Sequence, residues 1–176
     1  MLDRDFFFKS VRSFKLFTTL SQRQVDSINR LLDTAEVYFT DRRHIGYLLA
    51  TTYHETASTM LPIKEYGSPE YLKAKRYYPY YGRGYVQITW LDNYKKFSTI
   101  VGKDLVSDPD ICYEPLIAAT IACYGMKNGT FTGKKLKDYF NDTKSDAVNA
   151  RKIINGLDRA AKIAEYYKKF MECIKM

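Results

Sequence analysis

Between residues 62 and 89 the chain carries three prolines (Pro62, Pro69, Pro79), three glycines (Gly67, Gly82, Gly84) and a dense set of tyrosines, inside a sequence that otherwise reads as helix. No long helix crosses such a stretch, because proline removes a backbone donor and clashes with the preceding turn. The chain must therefore fold as helices gathered around an irregular insertion holding at most short strands. Within it, Tyr85-Val86-Gln87-Ile88, after Gly82-Arg83-Gly84, is the best strand candidate.

The flanking helices follow from periodicity. Ser21 and Gln24 have capping-box spacing and Val25, Ile28 and Leu32 share one face, so a helix starts at Ser21 and should end near Asp33. A second is expected over residues 41–56, with Ile45, Leu48, Leu49 and Thr52 at the spacing of a core-facing stripe. Thr89 is a candidate N-cap for a helix that ends at Gly102, and Pro115 opens another that Gly129 closes. Helical segments are also expected over residues 133–140, 146–154 and 158–174, the last with Ala161, Ala164, Tyr167 and Met171 inward. The fold class is mainly α (α+β), a helical domain with a small irregular β region that holds most of the tyrosines.

Of 176 residues, 45% are hydrophobic and 27% charged, which suits one domain with its own core over residues 1–176. The net charge of +8 is compatible with an anionic partner, and nucleic acid, acidic lipid and acidic wall polymer all satisfy it equally. From Lys127 onward there are twelve Lys or Arg against six Asp or Glu, so most of the surplus lies in the last fifty residues. Phe6-Phe7-Phe8 is cut short by Lys9 and flanked by Asp3 and Asp5, so neither a membrane helix nor a signal peptide is expected. Cys112, Cys123 and Cys173 fit no zinc or disulfide spacing and are expected as buried thiols.

Two carboxyls stand out. Glu55, in His54-Glu55-Thr56, lies about 80° from the centre of the apolar stripe of its helix, at the border of the polar face. A carboxyl there is partly desolvated, a condition that fits it to donate a proton. A zinc-protease motif is excluded, since position 58 is Ser, and with His44 and His54 as the two histidines no metal site is expected. Glu65 stands at the mouth of the tyrosine-rich insertion. One acid for a leaving oxygen and one base for a water are the minimum kit for glycoside hydrolysis.

His54-Glu55-Thr56, Lys64-Glu65-Tyr66-Gly67, the segment Tyr81-Gly82-Arg83-Gly84-Tyr85-Val86-Gln87-Ile88-Thr89-Trp90, and Asn93-Tyr94 resemble the glycoside hydrolase family 19 catalytic domain, most closely its short phage-type endolysins. The resemblance runs from about Ser21 to the C-terminus and includes Ile153-Ile154-Asn155-Gly156. It departs from plant members, which separate the two glutamates more widely and carry disulfides. It implies a lysozyme-like fold with a small sheet beside the cleft. It also implies an inverting mechanism across carboxyls roughly 6.5–9.5 Å apart. Glu55 would be the general acid and Glu65 the base, with Glu70 a rival, and Thr89 would help hold the water. Gln87 and Asn93 would bond the sugar, and Asn155 would line the far wall. His54, Tyr66, Tyr81 and Trp90 would also face substrate. Arg83 would bind a substrate carboxylate or, as readily, shape its own turn by a salt bridge. Arg159 or Lys162 would match a basic residue late in the family's C-terminal helix.

The implied substrate is bacterial peptidoglycan, cut at β-1,4 bonds between N-acetylated amino sugars so that the host cell lyses. Chitin is the alternative polymer, lytic transglycosylation the rival reaction, and a non-catalytic basic wall- or nucleic-acid-binding module the rival class. On the favoured reading the protein is a monomer that needs no cofactor and binds no nucleic acid. It touches anionic wall or outer membrane electrostatically. It is made in the bacterial cytoplasm and acts on the wall or periplasm after release.

Overall fold

One helix is buried without a break from Ile45 through Tyr53 and forms the centre of the protein. This is α3 (Arg42–Glu55) of a computed structural model that describes residues 1–175. A helix covered on all sides is a core helix, and the single stripe expected of it understates its burial. Tyr47, Thr51 and Tyr53 are buried along with Ile45 and Leu48. Asp41 caps its first turn by accepting from the Arg43 N–H at 2.9 Å.

Around α3 stand α1 (Arg4–Ser13), α2 (Gln22–Tyr38), α6 (Pro115–Asn128) and α7 (Ala160–Cys173), with α7 packed along α3 and α2 along α6. Gly46 lets α3 and α7 close together, because a Cβ there would lie 2.5 Å from Met171 Sδ. Helix α1, not foreseen, forms because Asp3 caps it and Phe7 stacks on Phe170 of α7. Helix α2 runs past Asp33, which points to solvent, because Ile28, Leu31, Leu32 and Ala35 keep the buried stripe going.

The insertion contains β1 (Ile63–Lys64), α4 (Pro69–Lys73) and β2 (Arg83–Gly84), the two strands antiparallel with Ile63 opposite Gly84. The strand therefore precedes residues 85–88. Gln87, at φ 56°, turns the chain there, and Ile88 bridges back to Arg83. Helix α5 (Leu91–Val101) has Trp90 rather than Thr89 at its cap position. Helix α6 begins at Pro115, and Gly102 and Gly129 close α5 and α6 in left-handed conformation.

Residues 133–140 hold only a short 3-10 turn (Leu136–Asp138) before the ribbon of β3 (Phe140–Asn141) and β4 (Lys144–Ser145), and residues 146–154 a 3-10 helix (Asn149–Ile153). In α7 the buried face is Ala160, Ile163, Ala164, Tyr167 and Phe170, whereas Ala161 is exposed. The three cysteines are free and buried. Among the described residues no helix is long and apolar enough to cross a membrane.

Candidate active site

Glu55 is the last residue of α3, and the residue after it ties off the helix. Thr56 Oγ1 donates to the Thr52 carbonyl at 2.7 Å and accepts from the Met60 N–H at 3.0 Å. Ala57, Ser58 and Met60 all take positive φ (48°, 68° and 55°), which reverses the chain within five residues. Non-glycine residues held there store strain, which persists where surroundings enforce it. Here α2 does so, with Ser27 Oγ donating to the Met60 carbonyl at 2.6 Å and Gln24 to that of Thr59 at 3.1 Å. The reversed chain enters β1 and delivers Glu65.

Glu65 is fixed by the facing strand. Its N–H donates to the Gly82 carbonyl at 2.7 Å, and its Oε2 accepts from the Gly82 N–H at 3.0 Å. Tyr77 Oη donates to its Oε1 at 2.7 Å. Gly82 is needed because a Cβ there would sit 2.8 Å from Gln87 Oε1. The Gln87 amide is thus tucked under the hairpin, donating to the carbonyls of Ile63 (2.9 Å) and Gly84 (3.0 Å). Thr89 Oγ1 donates to the Gln87 carbonyl at 3.1 Å, and Asn93 Nδ2 to that of Thr89 at 2.8 Å.

A cleft of about 650 Å³ brings together Glu55, Glu65, Tyr66, Gln87, Thr89, Trp90, Asn93 and Asn155, and adds Tyr77 and Phe131 to its walls. Tyr66 and Trp90 leave 69% and 49% of their surface open, as rings that stack on sugars must.

Three expected substrate contacts are not in its lining. Arg83 is buried and bonds Asp110 (2.9 Å), the Pro79 carbonyl (3.0 Å) and Tyr94 Oη (3.0 Å), with the Tyr81 ring 3.8 Å from its guanidinium carbon. Arg83 and Tyr81 therefore brace the hairpin, the salt-bridge alternative of the sequence reading. His54 is half-buried beside the cleft, and burial lowers its pKa against the attraction of Glu55. Glu70, the rival base, is exposed on the first turn of α4, where hydrogen bonds in that turn and with Ser68 lower its pKa. It is absent from the cleft lining.

The sequence reading missed the residue that meets Glu55. Arg151, on the 3-10 helix, is 3% exposed and places Nη1 2.5 Å from Glu55 Oε1, while its Nε donates to the Asp158 carbonyl at 2.9 Å. Arg159 instead takes a left-handed conformation before α7, and Lys162 is exposed. The sequence around Arg151 offers only its apolar neighbours Ala150 and Ile153, which are buried with it and do not point to Glu55. The desolvation expected of Glu55 is real, its side chain being 16% exposed, but it is shared with this guanidinium. Among the described residues no cluster of three His, Cys, Asp or Glu stands ready for a metal.

The chain is similar to an endochitinase of Arabidopsis thaliana, 33% identical over 90 residues, which cover 47% of this chain and 31% of that protein. Endochitinase A2 of Pisum sativum is 30% identical over 104 residues, covering 48% and 32%. The chain thus spans about a third of the length of these curated relatives. Among solved structures, a bacterial family 19 chitinase superposes with a TM-score of 0.66 at 19% identity, over 97% of this chain and 93% of that one. A class IV chitinase from Zea mays gives 0.59 at 20% identity, over 97% and 91%. These likenesses show the shared lysozyme-like fold. The family model for class I chitinase matches residues 26–129, more than half the chain, in which lie both glutamates and the Gly82–Asn93 floor of the cleft. The chain therefore belongs to glycoside hydrolase family 19.

Proposed function

We propose that the protein hydrolyses β-1,4 bonds between N-acetylated amino sugars with inversion at the anomeric carbon. The observation that carries this reading is that Glu55 and Glu65, delivered by a helix end and a strand end, line one open cleft with separate sets of partners. Glu55 gives its proton to the glycosidic oxygen as the bond to the anomeric carbon breaks. Arg151 then stabilises the carboxylate that is left. A water attacks the anomeric carbon and loses a proton to Glu65. Thr89 already spends its hydroxyl hydrogen on the Gln87 carbonyl, so towards a water it acts as acceptor and orients the second hydrogen. Tyr66 and Trp90 would stack on sugar rings, and Asn93 and Asn155 would bond their substituents.

Bacterial peptidoglycan is the substrate the charge favours. A net +8 concentrates an enzyme at an anionic wall, and its degradation after release from the cytoplasm would lyse the cell. Chitin is the second reading, supported by the relatives' names as endochitinases. The test is digestion of peptidoglycan and of chitin oligomers by wild type, Glu55→Gln and Glu65→Gln, with mass spectrometry of the products. Each variant should lose about 10²-fold or more in rate. Anhydro sugar ends would instead indicate transglycosylation, and full activity of Glu55→Gln would overturn the mechanism.

A further inference from the structure

We infer that Tyr77 is a positioning residue for the base: its hydroxyl holds the Glu65 carboxylate at the orientation in which it receives the proton of the attacking water. The inference rests on the reading of Glu65 as base. Glu65 lies just beyond a two-residue strand, and its side chain is half-buried, so the short strand alone does not select its rotamer. Two donors do. The Gly82 N–H takes Oε2 at 3.0 Å and Tyr77 Oη takes Oε1 at 2.7 Å, so each oxygen has one donor and keeps acceptor capacity for water. The Gly82 donor belongs to the hairpin backbone. Tyr77 is therefore the side chain through which the carboxylate is oriented from the cleft wall.

Tyr77 is itself held. Its carbonyl accepts from the Tyr80 N–H at 2.7 Å, and its ring meets Trp90 edge to face at 5.3 Å. Burial, and then the bond to Glu65, push its hydroxyl up to about 12, so it keeps its proton and remains a donor at neutral pH. The hydroxyl serves the base and the ring braces Trp90, which separates two effects that one substitution can tell apart.

Tyr77→Phe keeps the ring and removes the donor. On chitin oligomers or peptidoglycan fragments it should lower kcat by about tenfold or more, the range of a hydrogen bond to a charged group, with KM changed less than about twofold. Its melting curve should stay that of a folded protein. In a Glu65→Gln background the same substitution should cost nothing further, because the two residues act as one unit. Wild-type kcat in Tyr77→Phe, or an equal loss added to that of Glu65→Gln, would overturn the inference. An inactive Glu65→Gln beside a fully active Tyr77→Phe would sink the role of Tyr77 alone; a fully active Glu65→Gln would remove the base and this inference with it.

Discussion

Under the proposed mechanism the acid, Glu55, leans on one side chain from outside the matched residues 26–129, Arg151. It is buried, its Nε is committed to the Asp158 carbonyl, and its Nη1 reaches Glu55, so it works as a fork with two fixed prongs. Lysine supplies the charge but not the fork. Arg151→Lys should therefore lower kcat by about 10–100-fold, while Arg151→Ala, which strands a desolvated carboxylate, should also cost about 3–5 kcal/mol in denaturant melts. Such an arginine is hard to find in sequence, because a buried charge is visible only through the partner it meets, 96 positions away. Glu55 and Glu65 were legible because short motifs surround them. His54 gives a second prediction. Burial lowers its pKa, so the unfolded chain takes up a proton there before the folded one does. Stability is then lost as pH falls through the ordinary histidine value and levels off below the folded value. His54→Gln should accordingly lose less of its melting temperature than wild type between about pH 7.5 and about pH 5.

At the scale of elements, helix ends were easier to read than strands. Pro115, Gly129 and Gly102 act through their own backbone preferences, and the structure places them at the first position of α6 and past the ends of α6 and α5. The two closing glycines differ in what surrounds them. A Cβ on Gly102 would meet nothing within 4 Å, whereas one on Gly129 would press on the Gly133 backbone at 3.0 Å. Gly102→Ala should cost about 1 kcal/mol for its left-handed conformation alone, and Gly129→Ala distinctly more, measured by denaturant midpoints. The β1–β2 hairpin follows a different rule. Its register goes with Gln87 reaching across to the Ile63 carbonyl and with Arg83 gripping Asp110, contacts between chain segments 24 and 27 positions apart, so a local pattern over residues 85–88 pointed two residues late. Helix α6 also shapes the cleft. A Cβ on Gly125 would collide with the Phe131 ring that lines the cleft wall. Gly125→Ala should displace that ring and raise KM for oligomers more than it lowers kcat.

Over the whole molecule, the charge takes on a location. Of the twelve cationic residues from Lys127 onward, Arg151 is buried against Glu55 and Lys152 is half-buried; the other ten, including Lys134, Lys135 and Lys137, are exposed. The composition alone could count that surplus but not divide it between a buried ion pair in the cleft and a solvated surface. The division makes a prediction about polymers. A short neutral oligomer meets only the cleft, so its turnover should hardly change as salt rises. Peptidoglycan in its sacculus presents an anionic surface, and at about 0.5 M salt the screening length falls below half its value at about 0.1 M. Lysis of whole sacculi should therefore slow with salt while oligomer hydrolysis stays level. Lys134→Gln, Lys135→Gln and Lys137→Gln together should flatten the salt dependence on sacculi and leave oligomer kcat unchanged. Equal salt responses on the two substrates would show that the exposed lysines serve solubility and that the cleft alone recognises the polymer.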